Sequence, residues 1–221
     1  MIYNVFILGG NENLIYDALK CVYLVWNKVI VINNTDKEIP SDQYQIITPL
    51  VPLTFTQTHN ACQKIARKLK NDFYISMHDD TRFEPSLILE FADICERKFR
   101  ENPKIGIIFA HYDHLMACKM EAINDIGEWD VFLPQYGSDV DYFLRWKYSK
   151  WEIDGRVLDV GQNDTEGVLV DRIVHLGAKT WELNPEFRFK SQLLEYWKNY
   201  YLKVKWGWDG YKENFTKPFD R

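Results

Sequence analysis

Five short apolar runs, "YNVFIL" (3–8), "VIVIN" (29–33), "YQIIT" (44–48), "FYISM" (73–77) and "IGIIFA" (105–110), alternate with segments of helical period through the first half of the chain. Runs of this length, rich in β-branched and aromatic residues and with little polar alternation, suit strands covered on both faces. Between them, 13–26 reads as helical, 54–70 places Ala61, Cys62, Ile65, Ala66 and Leu69 on one helical face, and Leu87, Ile88, Phe91, Ile94, Cys95 and Phe99 line another behind Pro85. Strand–helix alternation at this spacing implies an α/β fold, with a mostly parallel central sheet flanked by helices, whose ligands bind beyond the carboxyl ends of the strands. Gly9-Gly10, Asn33-Asn34 and His78-Asp79-Asp80 all fall at such ends.

From about 111 the rhythm changes to a helical segment near 119–126, the aromatic loop "GEWDVFLPQYG", a helix from Ser138 to about Lys150, the apolar run "VLVDRIVHL", and a helix opened by Pro185 and running to about Lys205. This half is expected to cover one edge of the sheet and complete the site. A chain of 221 residues suits one such domain, and its tail "YKENFTKPFDR" suits a connection to further domains C-terminal to it.

A composition 46% hydrophobic and 27% charged, with no low-complexity tract, excludes a disordered chain. The net charge of −5 argues against nucleic acid as a partner, and an anionic ligand then needs local help such as a metal. No apolar run approaches the roughly 18 residues of a membrane span, and "MIYNVFILGGNENL" lacks the pattern of a signal peptide, so a cytoplasmic location is expected. Cys21, Cys62, Cys95 and Cys118 form no CxxC pair and read as buried thiols.

Three clusters carry chemistry. In "YISMHDDTRFEP" (74–85) two adjacent carboxylates follow a buried strand, where each raises the cost of ionising the other unless a cation relieves it; turn chemistry or a helix cap is the alternative. In "YGSDVDYFLRWK" (136–147) Ser138 suits an N-cap with Asp139 in the first turn, while Asp141 and Arg145 have the spacing of a surface ion pair. In "RIVHLGAKTWE" (172–182) His175 sits before Gly177, where a ligand or an ordinary buried histidine are both open readings.

Together, the small-residue turn after the first strand, "HDD" after the fourth, "CKMEAINDIGEWD", "GSDVDYFLRWK" and "VHLGAKT" resemble the GT-A glycosyltransferases, particularly the family-2 type with rhamnosyltransferase-like motifs, over roughly 1–180. The resemblance implies a nucleotide-sugar-binding half (1–110) and an acceptor and catalytic half (111–221). It implies a UDP-sugar donor, a glycan acceptor, and Mn²⁺ or Mg²⁺ held by Asp80 and His175. Leu8, Gly9, Gly10, Asn11, Asn33, Asn34, Asn60, His78 and Asp79 would then form the nucleotide-sugar site. His78 stands where many members carry Asp or Thr, and Asn34 where they usually carry Asp. Asp139 matches the catalytic aspartate, with Ser138 replacing a glutamate. The short chain and its "MIYNVFILGGN" start further resemble the N-terminal glycosyltransferase domain of a chlorella-virus protein, which implies glucose or rhamnose donors and a viral coat glycan as acceptor.

Trp206 and Trp208 are candidates to stack an acceptor sugar, against the reading that this aromatic helix packs on the core. Two other function classes compete. A dinucleotide-dependent oxidoreductase predicts G-x-G-x-x-G after the first strand, and "GGNENL" fails it. A non-catalytic sugar-binding module accounts for the tryptophans but leaves the carboxylate and histidine clusters without purpose.

Overall fold

The computed structural model describes residues 1–155, 164–177 and 185–207. Its strands are β1 (Tyr3–Gly9), β2 (Val29–Asn33), β3 (Gln45–Ile47), β4 (Phe73–His78), β5 (Thr81–Phe83), β6 (Ile105–His111), β7 (Leu115–Lys119), β8 (Glu152–Asp154) and β9 (Ile173–His175). Its α-helices are α1 (Glu12–Cys21), α2 (Phe55–Lys68), α3 (Ser86–Glu101), α4 (Met120–Ile126), α5 (Ser138–Lys147), α6 (Asp164–Leu169) and α7 (Pro185–Trp206). Seven strands form one sheet in the order β3-β2-β1-β4-β7-β6-β8. Only β7 runs against its neighbours β4 and β6; the other described pairings in this sheet are parallel. The expected α/β architecture is therefore present.

The pleat explains the two cores. In β1 and β2, Val5, Ile7, Val29 and Val31 face one side with α1 and α3, while Phe6, Leu8, Ile30 and Ile32 face the other with α2, α4 and α5. Every residue of "VIVIN" is buried, as a strand covered on both faces requires. His78 follows Tyr74 and Ser76 on the alternating side of β4, so the strand delivers its last side chain to the α2 face.

Several boundaries differ from expectation. The stretch read as helix to residue 26 stops at Cys21 and continues as a 3₁₀ segment, Tyr23–Lys28. Residues 115–119 are a strand, because "HYDH" closes a β6–β7 hairpin with no glycine signal; Tyr112 adopts the left-handed conformation instead, at φ 44°. "VLVDRIVHL" divides among α6, a 3₁₀ turn and β9. All four cysteines are free and buried. Among the described residues no helix is long and apolar enough to cross a membrane.

Candidate functional site

The carboxyl ends of β1 and β4, the β6–β7 tip, the start of α5 and the end of β9 surround a cavity of about 560 Å³, a size suited to a small-molecule ligand. It lies where the strand–helix pattern places it. Gly9 keeps that end closely packed: a Cβ would stand 2.5 Å from Ile15 Cδ1 and 3.3 Å from the Ile32 carbonyl, so a larger residue would make the buried Ile15 side chain shift.

The first turn is tied to the acidic pair. Asp79 Oδ2 accepts the backbone N–H groups of Gly10 at 2.7 Å and Asn11 at 3.0 Å. Burial nevertheless pushes the Asp79 carboxyl up to about 6, against the pull of those two bonds. Asp80 is also buried, and its Oδ2 lies 3.2 Å from His175 Nε2. Burial works to raise the Asp80 carboxyl, but the His175 bond and the surrounding imidazoles outweigh it and hold it below the usual carboxylate range. Its Oδ1 is buried with no partner.

His175 reaches Asp80 because β9 pairs with β5. The register sets Thr81 opposite His175, and the Leu176 N–H donates to the Asp80 carbonyl at 3.0 Å. His114 arrives from the hairpin tip, where its carbonyl accepts the His78 N–H at 3.0 Å. Burial pulls His78 down to about 4 and His114 to about 2. Both rings are therefore neutral near pH 7 and keep a lone pair.

On the opposite wall Asp139 opens α5, and the Tyr112 hydroxyl donates to its Oδ2 at 2.6 Å. Asp113 lies beside it, buried; burial first and the Asp139 charge second hold its carboxyl well above the usual range. The cavity walls therefore include four aspartates (Asp79, Asp80, Asp113, Asp139) and three histidines (His78, His114, His175), with no lysine or arginine among the described lining residues.

Leu8, Gly9, Gly10, Asn34, His78, Asp79, Asp80, Asp139 and His175 line this cavity as expected from the motifs. Others do not. Asn11 caps α1, its side chain accepting from the Asn13 and Leu14 N–H groups, and only its backbone touches Asp79. Asn33 is buried in its own loop, donating to the Lys37 carbonyl and Thr48 Oγ1 and accepting from Thr35. Asn60 clamps the Trp129 backbone through two bonds of 3.0 and 2.7 Å. Even Asn34 is half committed, donating to Thr58 Oγ1 and accepting from the Leu53 N–H.

Ser138 is the first residue of α5, not its cap; Gly137 caps, at φ 76°, and the Ser138 hydroxyl donates to the Gln135 carbonyl. Trp206 cannot offer a sugar-stacking face: it is buried, stacked on Tyr148, and its indole N–H donates to Asp141 at 2.7 Å. Trp208 lies outside the described residues. Tyr112, Asp113 and His114 join the site without any of the motifs pointing to them. The signal that could have found them is "HYDH" directly after a strand, at the same end as Gly9-Gly10 and His78.

Beneath the cavity, His59 is fully buried against Trp129, rings 4.2 Å apart and 12° from parallel, with neither ring nitrogen paired. Burial holds its pKa well below the ordinary 6.5. Below that value the unfolded chain takes a proton that the folded chain refuses, so this residue costs stability progressively as pH falls. His59→Phe should stabilise the fold by about 1–3 kcal/mol near neutrality by removing unpaired polar atoms. Urea unfolding should show a larger gain at about pH 5 than at about pH 7.5; an equal gain at both would refute this account.

A scan against protein-family models finds no match, and a search of curated proteins finds none either. Among solved structures, a cytidylyltransferase from Leptospira borgpetersenii serovar Hardjo-bovis aligns at 10% identity and TM-score 0.46, over 71% of this chain and 76% of its own. TarS 1-349 from S. aureus aligns at 9% identity and TM-score 0.49, over 66% and 55%. The 2-C-methyl-D-erythritol 4-phosphate cytidylyltransferase from Thermus thermophilus aligns at 9% and 0.41, over 78% and 97%. Likenesses at this level assign no activity. None of the three is named as a viral protein, so they lend no support to the chlorella-virus resemblance.

Proposed function

We propose that this chain is a cation-dependent glycosyltransferase of the GT-A type that moves a sugar from a UDP-sugar to a hydroxyl of a glycan acceptor. One observation carries the reading: Gly9-Gly10, Asp79-Asp80, Asp139 and His175 meet in a single cavity walled by four aspartates and no described lysine or arginine. Such a wall repels a bare diphosphate, so an anionic donor enters only with a cation. The donor set fits one. Asp80 Oδ1 and His78 Nε2 are both buried without partners, which is costly unless something binds them.

Asp80 and His175 would hold the cation, Mn²⁺ or Mg²⁺ by the family resemblance. When bound, it stabilises the negative charge of the leaving diphosphate as a Lewis acid. The chain supplies the rest. Asp79 braces the Gly10-Asn11 turn against which a nucleotide would lie. Asp139 takes the proton of the acceptor hydroxyl, oriented by Tyr112 on one oxygen and free to use the other. Beside it, burial and then the Asp139 charge hold the Asp113 carboxyl above the usual range. Attack assisted by a base across the cavity from the leaving group inverts the anomeric centre. Glucose and rhamnose are the donor sugars to try first.

Calorimetric titration of UDP with Mn²⁺, with EDTA, and with Asp80→Ala tests the reading. Binding that needs the metal and disappears in the variant is the expected result. Absence of UDP binding under every condition would overturn the donor assignment, and sugar binding indifferent to chelator would favour a non-catalytic sugar-binding module.

A further inference from the structure

We infer that His78, His114 and His175, together with Asp80, form a nitrogen-rich site for a first-row transition-metal ion of the Zn²⁺ or Co²⁺ class, from which Mg²⁺ is excluded. The inference replaces the Mn²⁺ or Mg²⁺ of the proposed function with a softer ion and rests on that reading's placement of a cation beside Asp80 and His175.

One ring nitrogen from each histidine lies within 4.8 Å of the others. The arrangement is built by backbone pairing: β4 carries His78, whose N–H is bound to the His114 carbonyl, and the β5–β9 register sets His175 beside the Asp80 turn. His114 and His175 stack at 3.5 Å, and His78 meets His114 edge-on at 5.2 Å. Two observations separate this from an ordinary histidine cluster. His78 Nε2 and Asp80 Oδ1 are buried at the same place and both lack a hydrogen-bond partner. His111 Nδ1 lies 2.9 Å from His114 Nδ1, which pins the second ring by one nitrogen, while its Nε2 lies 3.5 Å from Asp113 Oδ1, a long contact that a bound ion would replace. Metal-bound imidazoles usually have an outer partner on the second nitrogen, most often a carboxylate, carbonyl or water, and here an imidazole takes that place.

The donor chemistry selects the ion. Mg²⁺ favours oxygen and is commonly held by one or two carboxylates plus substrate phosphates. Three imidazoles and one carboxylate suit Zn²⁺, Co²⁺ or Ni²⁺ far better. The His175–Asp80 bond of 3.2 Å is the contact such an ion would replace.

Metal-stripped chain titrated with Zn²⁺ and Co²⁺ in the absence of nucleotide, by calorimetry and by the visible absorption of Co²⁺, tests the inference. One ion should bind per chain, with an intense Co²⁺ spectrum of mixed nitrogen and oxygen ligation, and a roughly thousandfold excess of Mg²⁺ should not displace it. His111→Ala should weaken Co²⁺ by about 10- to 100-fold, the range for loss of an orienting partner, and His78→Ala or His114→Gln by more. Absence of Co²⁺ binding by the native chain, ready displacement by Mg²⁺, or unchanged affinity in folded His78 and His114 variants would overturn it. The native spectrum needs no variant, so a variant that fails to fold does not decide the outcome. A chain that binds Co²⁺ as described but never UDP keeps this site and loses the transferase reading; one that binds UDP equally with Mg²⁺ does the reverse.

Discussion

Asp139→Asn should lower sugar transfer by about 10²- to 10⁴-fold, the usual contribution of a positioned general base, while UDP affinity changes little. The geometry separates the two effects. Asp139 sits in the first turn of α5, on the wall opposite Asp80 and His175, and its described hydrogen bond is the one from the Tyr112 hydroxyl at 2.6 Å. An amide oxygen at this position can still accept that bond, so the substitution removes basicity and leaves the local packing. Tyr112→Phe should cost less, because it frees an oxygen of the base without removing it. Tyr112 holds a left-handed backbone at φ 44°, a conformation that favours glycine and asparagine, so the hairpin tip carries strain at the residue that orients the base. Initial rates with saturating donor, beside UDP titrations of the same proteins, check the prediction. Turnover of Asp139→Asn within a few-fold of the native chain would assign the base elsewhere, with Asp113 the next candidate.

The sheet was legible because its strands are apolar on both faces. The shortness and β-branched or aromatic content of "VIVIN" and "FYISM" favour buried strands, and the alternation with helices set the mostly parallel order and the end at which a ligand would bind. Gly9-Gly10 and Asp79-Asp80 were placed at that end by the strands they follow, while Asp139 and His175 were singled out by the family resemblance. What failed to show was which asparagine faces the cavity. Asn33, Asn34 and Asn60 have the same chemistry, and only tertiary placement turns one toward the cavity and the other two into loop and tryptophan clamps. His114 and Asp113 escaped because a hairpin closed by a strained tyrosine carries no turn signature. Trp206 misled because aromatic spacing on a helix does not say which face is covered; among the described residues the exposed rings of α7 are Tyr196, Trp197 and Tyr200.

Asp141→Ala should be the most destabilising single substitution near the site, at about 3–5 kcal/mol, the cost of removing one member of a buried charge cluster. The i,i+4 spacing with Arg145 suggests a surface pair, yet the carboxylate is fully buried. It accepts from the Trp206 indole at 2.7 Å, lies 2.8 Å from Lys205 Nζ, and stands 3.3 Å from Arg145 Nε. Lys205 also contacts Asp130 at 2.6 Å, and Tyr201 donates to the same Asp130 oxygen at 2.7 Å. One lysine and two aspartates therefore fasten α7 to α5 and to the loop before it. Gly137 lets α7 approach this closely: a Cβ there would sit 2.3 Å from Lys198 Cγ. Removing Asp141 leaves the buried Trp206 N–H without its acceptor and takes the carboxylate from beside Lys205 and Arg145, which is why the loss exceeds that of an exposed pair. Asp141→Asn keeps one acceptor and should cost less. Denaturant unfolding measures both, and a chain of this size should lose about 2–4 °C of Tm for each kcal/mol. Because Asp139 is two residues upstream on the same first turn, the alanine variant should also lose activity, and restoring the helix contact by Asp141→Asn should recover part of both. A cost below about 1 kcal/mol would show that the cluster behaves as a solvated surface pair, and that α7 is held to α5 by Leu133, Leu144 and Leu202 instead.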